Sequence, residues 1–140
     1  MTHEEARLKI KKHLKTKGHE PITVSPRLIR YWWKVLNQAV FYGKLKIPTK
    51  IFVQRVIGGY AEICPYVRLK NQIKVSFQEK FVSRHLFLAV LVHEMVHAWE
   101  HMHYTTMGHG KRFFMWKGRI KRTVGLPLEV ALIENEFKYE

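Results

Sequence analysis

Residues 91–99 read Leu91-Val92-His93-Glu94-Met95-Val96-His97-Ala98-Trp99, a His-Glu-x-x-His motif inside a strongly apolar run. Four residues is close to one helical turn, so His93 and His97 project from one face, separated by a rise of ~6 Å. Two imidazoles at that reach can bind one metal ion. Glu94, next to the first histidine, then sits beside the ion without ligating it. There it can take a proton from a water and pass it to a leaving amine. Set against this is a bland alternative, two buried histidines and a surface glutamate. The motif outweighs it because three residue types stand at fixed spacing on a segment independently predicted to be helix.

Working outward, Ser83 is the N-cap of this helix, which runs to about His103. Leu86, Phe87, Ala89, Val90, Leu91 and Val92 make its first half apolar on nearly all sides, hence buried. Thr105 to Gly108 reads as a turn. A catalytic zinc usually keeps three protein ligands and an open position, and five of the nine histidines fall between His93 and His109. His101 lies ~12 Å from His93 by helical rise, too far to share an ion. His103 stands six residues after His97, an offset some metalloproteases use with a glycine to bend the helix, but the glycine position here is Glu100. His109, flanked by Gly108 and Gly110, can swing back over the helix and is preferred as third ligand, with His103 the alternative. His101 and His103 are then most simply surface residues, or additional cation sites facing an anionic partner. Glu100 could orient a ligand imidazole, but the simpler expectation is an exposed carboxylate. Tyr60 and Tyr104 are the tyrosines to consider for steadying an oxyanion.

A C-terminal helix is predicted from Lys111, with Phe113, Trp116, Ile120 and Val124 as its apolar face. Gly125 and Pro127 end it, and Glu129 to Glu140 form an acidic, helical tail. Lys111, Arg112, Lys117, Arg119, Lys121 and Arg122 crowd the rest of that helix without one acidic residue, the densest basic patch in the chain and its candidate nucleic-acid surface.

Upstream of the motif the period changes to two. Ile51, Val53 and Ile57 alternate with Phe52, Gln54 and Val56, and Tyr60 to Tyr66 and Gln72 to Phe77 read as two more strands. The connections are short, with a turn near Lys70-Asn71, so the three-stranded sheet is expected to be mostly antiparallel. Pro65 suits an edge, and an exposed edge beside the metal helix could hold an extended peptide by strand addition. Before the sheet, Ser25-Pro26 opens a helix over Pro26 to Tyr42, with Gly43 as its stop and Trp32 and Trp33 as packing residues. Residues 1–20 carry six Lys/Arg between Arg7 and Lys17 and form a basic N-terminal arm or a helix, capped by Thr2 with Ala6, Ile10 and Leu14 as its stripe.

These elements fit one α+β domain over residues 1–140, with its core at 26–125. No apolar run reaches membrane-spanning length, and residues 1–20 lack an apolar signal-peptide core. A single cysteine, Cys64, excludes a disulfide framework and a cysteine-based second zinc site. The net charge of +14 favours polyanions, nucleic acid first. A cytoplasmic monomer is the simplest expectation.

Two segments, His93-Glu94-Met95-Val96-His97 and Gly108-His109-Gly110-Lys111-Arg112-Phe113, together give the chain a pattern that resembles the SprT-like (SprT/Spartan-like) family, which pairs HExxH with a later GHGxxF. Tyr42-Gly43-Lys44-Leu45 and Ala61-Glu62-Ile63-Cys64 are weaker matches, and the similarity covers roughly Pro26 to Gly125. The resemblance implies a zincin-like core, Zn2+ held by His93, His97 and His109, and Glu94 as catalytic base. It also implies proteolysis of DNA-bound or DNA-crosslinked proteins, hence a part in DNA–protein crosslink repair. Two departures matter: the segment between His97 and His109 is shorter than in Spartan-type relatives, and the chain has too few cysteines for the C-terminal zinc ribbon many relatives carry. It resembles a minimal form in which DNA, single-stranded or crosslinked, must meet the core's own basic faces. That form suits a bacterial or phage-infected host cell, with a cytoplasmic or nucleoid-associated location. The alternatives are a zinc-containing nucleic-acid-binding module with little or no peptidase activity, a metal-dependent nuclease, and a peptidase with no DNA requirement.

Overall fold

The computed structural model describes residues 1–54, 62–65, 72–104 and 110–129. Helix α1 spans His3–Lys17 and opens on Thr2, whose hydroxyl accepts a hydrogen bond from the Glu5 amide at 3.1 Å. Ala6 and Ile10 are fully buried and Leu14 packs against the core, so α1 is docked along one stripe with its lysines outward. Helix α2 spans Pro26–Phe41. The Ser25 hydroxyl accepts from the Leu28 amide, and Pro26 occupies the first turn, where its missing N–H is not needed.

Helix α2 ends differently from the expectation. The first left-handed residue is Tyr42 (φ 55°), with Gly43 following at φ 76°. A side chain in that region costs ~1–2 kcal/mol, and two contacts offset it: the Tyr42 ring stacks on His3 at 4.5 Å and lies under Arg119 at 4.6 Å. Just beyond, the buried Asn37 side chain clamps the chain leaving α2. It donates to the Leu45 carbonyl at 2.8 Å and accepts from the Leu45 amide at 3.0 Å.

Strands β2 (Lys50–Gln54), β3 (Glu62–Pro65) and β4 (Ile73–Gln78) form a sheet of order β2-β4-β3. The mostly antiparallel arrangement expected from short connections is corrected here. β3 pairs with β4 antiparallel, but β2 pairs with β4 in parallel, Ile51 opposite Val75 and Val53 opposite Phe77. Parallel neighbours need a crossover of about a dozen residues or more, and the chain between β2 and β4 is long enough while also supplying β3. Pro65 falls at the end of the edge strand β3, where its missing donor does no harm.

A second pairing had no signal in the sequence. β1 (Ile22–Thr23) runs antiparallel to β5 (Lys80–Phe81), tying the α1–α2 connection to the residues just before helix α3 (Arg84–Tyr104). The same connection satisfies the first amides of α3. Arg84 donates to the Glu20 carbonyl and His85 to the Gly18 carbonyl, while Leu86 donates to the Ser83 hydroxyl at 3.0 Å. Helix α3 is thereby fixed at its start by backbone from another part of the chain.

The first half of α3 is the centre of the core. Leu86, Phe87, Leu88, Ala89, Leu91 and Val92 are all buried, with Phe87 against Phe77 and Phe81. Each such large apolar side chain contributes ~1.5–3 kcal/mol by leaving water.

The C-terminal helix is not continuous. It divides into α4 (Lys111–Phe114) and α5 (Lys117–Val124). Phe113, Trp116, Ile120 and Val124 are all buried, as their spacing implies. At the break the Trp116 amide bonds the Phe113 carbonyl three residues back, a tighter turn than an α-helix makes. Gly125, at φ 75°, ends α5 and donates to the Lys121 carbonyl. Among the described residues no helix is long and apolar enough to cross a membrane. The predicted turns at 70–71 and 105–108 and the acidic tail beyond Glu129 lie outside the described residues.

Candidate metal centre

Burial and rigidity bring the site together. His93, Glu94 and His97 sit in the middle of α3, after the buried apolar half and before its polar end. His93 is 8% exposed and Glu94 6%. The two imidazole rings lie 4.9 Å apart, centroid to centroid, and are inclined at 75°. One ligand atom from each of the three residues lies within 4.8 Å of the others. Two donors on one tetrahedral ion with bonds near 2.1 Å stand ~3.3 Å apart, so small side-chain rotations would seat an ion. The residues fit one: two imidazoles that can ligate, with a carboxylate beside them, all on a helix whose packing restrains them.

Helix α4 supplies a wall. Phe113 is fully buried, and its ring lies 4.9 Å from both His93 and His97. This contact limits the rings' freedom and excludes water on one side. In the sequence Phe113 stands out as the last residue of the GHGxxF segment and as one step of an apolar face, but neither pattern says which side chains it meets.

His109, the preferred third ligand, and Tyr60 lie outside the described residues. The described chain resumes at Gly110, the extended residue that opens α4. His103, the alternative, is exposed and is not part of the cluster. One of its ring nitrogens is 2.8 Å from the Trp99 carbonyl, and its ring tilts over the Trp99 indole. Tyr104 is 41% exposed, with the Arg112 guanidinium 3.8 Å over its ring.

Two expectations near the motif are corrected. Glu100, read as exposed, is 4% exposed, and its carboxylate oxygen lies 3.7 Å from His97 Nδ1. His101, read as a surface residue, is 8% exposed. Both errors have one cause. The apolar pattern of α3 runs nearly all round the helix, so it cannot tell which polar positions near its end the neighbouring elements cover.

The basic residues divide. Lys111 and Arg112 are exposed on α4, next to the metal pair's aromatic wall, and Lys117, Lys121 and Arg122 are exposed on α5. Arg119 is half-buried, spread over the rings of Tyr42 and Trp116, and is in part a packing residue. Lys117 pairs with Glu129 at 3.3 Å.

A family model described as the SprT-like family matches residues 29–132, most of the chain. No curated protein matches it.

Proposed function

The chain belongs to the SprT-like family, and on that premise we propose that it is a zinc-dependent endopeptidase with a zincin-like core. The observation that carries this reading is the gathering of His93, Glu94 and His97, ligand atoms within 4.8 Å, on one buried stretch of helix. Their order suits peptide hydrolysis. His93 and His97 would hold the ion, and His109, two residues before the start of α4 in the sequence, would complete the set. When bound, zinc supplies a Lewis acid that brings the pKa of a water toward ~7 and polarises the scissile carbonyl. Glu94, buried beside both ligands, accepts the proton of that water and delivers it to the departing amine nitrogen. Strand β3 packs against α3 and is an edge strand among the described residues, where backbone donors and acceptors could meet an extended substrate.

The substrates we propose are DNA-associated or DNA-crosslinked proteins, met in the cytoplasm or on the nucleoid. Support comes from the net charge of +14 and from exposed Lys111 and Arg112 beside the site, continued by Lys117, Lys121 and Arg122. Phosphate neutralisation by such residues is salt-dependent and independent of sequence. The same basic residues favour the second reading, a zinc-containing nucleic-acid-binding module with little or no peptidase activity.

One experiment separates them: zinc content and cleavage of a DNA-binding protein, each measured with and without single-stranded DNA. The peptidase reading expects about one zinc per chain and cleavage that chelation abolishes. DNA binding that survives chelation, with no cleavage in any condition, would favour the binding module. In the same assay His109→Ala should weaken zinc binding; if His103→Ala does so instead, the third ligand is His103.

A further inference from the structure

Glu100 has no task in the hydrolysis just described, yet it is more deeply buried than Glu94. Burying a carboxylate is costly unless a partner offsets the loss of water. One group beside it is a proposed ligand of the metal site: Oε1 lies 3.7 Å from His97 Nδ1, and the two side chains are 6% and 12% exposed. The two acidic residues of the motif region flank His97 on α3. Three residues turn the helix by ~300°, so Glu94, three before His97, and Glu100, three after it, stand ~60° to either side, and only Glu94 belongs to the three-residue cluster.

A neutral imidazole carries one proton on its two nitrogens, and the nitrogen that keeps the hydrogen cannot ligate. We infer that Glu100 is a positioning residue of the metal site: its carboxylate holds the Nδ1–H of His97 and so presents Nε2 to the ion. The inference rests on the metal reading above. A charge-assisted N–H···O bond is ~2.7–2.9 Å long, so the 3.7 Å approach has to tighten by a modest rotation of either side chain. The Phe113 ring, 4.9 Å from that of His97, restricts how the imidazole can turn. This arrangement fixes both the tautomer and the tilt of the ring and raises its basicity toward the ion.

The test uses the full chain and zinc itself. Zinc affinity is measured by competition with a chromophoric chelator for the natural protein, Glu100→Gln, Glu100→Met and His97→Ala, with thermal unfolding of each zinc-free protein alongside. Glu100→Met should weaken zinc binding about 10–100-fold. Glu100→Gln should recover most of that loss, because its amide oxygen still accepts from Nδ1–H. Cobalt(II) spectra should follow the same order, with the ligand-field bands altered in Glu100→Met and near the natural ones in Glu100→Gln. Full affinity in Glu100→Met, or equal losses in both Glu100 variants, would overturn the inference and leave the metal site standing. Undiminished zinc binding by His97→Ala would instead overturn the metal reading. A measurement on the unmodified protein guards against variants that fail to fold. Nitrogen NMR of the zinc-loaded chain should show His97 ligating through Nε2 with a protonated Nδ1, and ligation through Nδ1 would overturn the assignment.

Discussion

Helices α1 and α3 handle their polar residues in opposite ways. α1 buries only Ala6 and Ile10 and keeps its charges in water, where Glu4 and Arg7 pair at the surface. α3 buries His93, Glu94, Glu100 and His101 among leucines and valines. Exposed charges like those of α1 cost little and add little. A buried polar group costs ~1–3 kcal/mol when its hydrogen bonds are incomplete. A helix that places four ionisable side chains inside the core must hold each of them in a fixed arrangement, as a metal centre would require.

The sharpest way to break this contrast is to change one residue on each helix. Glu94→Gln should lower peptide hydrolysis by about 10²–10⁴-fold while leaving zinc content and thermal stability unchanged or slightly improved. A large loss of stability with zinc retained would make Glu94 a structural residue and erase the distinction. Ile10→Ala on α1 should do the reverse. It removes a fully buried side chain, so stability should fall by ~2–4 kcal/mol in denaturant titration, with zinc affinity unaffected. A change in zinc affinity would mean that α1 helps to shape the site.

The smallest effect concerns His13, half-buried on α1 against Trp32 at 4.5 Å. Burial, with Arg84 and Lys17 adding to it and Glu20 opposing, holds its imidazole below the ordinary 6.5. The unfolded chain then binds that proton more readily than the folded one. Stability is therefore complete above about 6.5 and declines as pH falls from there through the lowered folded value. Thermal unfolding at about pH 7.5 and about pH 5.5 should show a slightly smaller drop in His13→Asn than in the natural protein. Identical drops would remove His13 as a source of pH dependence.

What could be read from the sequence was what depends on local pattern. The Ser25-Pro26 start of α2, the Ser83 cap of α3 and the turn-long spacing of His93 and His97 are set by residues within a few positions of one another. What escaped depends on distant partners. The parallel pairing of β2 with β4 and the two-residue β1–β5 ladder have no signature in either strand alone. The burial of Glu100 and His101 is decided by what packs on the end of α3, and the break at Met115 by how Phe113 and Trp116 reach different neighbours. Phe113 meets the two imidazoles, while Trp116 lies against Phe41 and Trp99.

That last contact has a practical side. Trp99 comes two residues after His97, on the same helix, with its indole against both Trp116 and His103. The helix that carries the candidate ligands therefore has a built-in fluorophore. An open-shell ion such as copper(II) held between His93 and His97 would sit close enough to quench its emission, so filling of the centre can be followed by light without attaching any label.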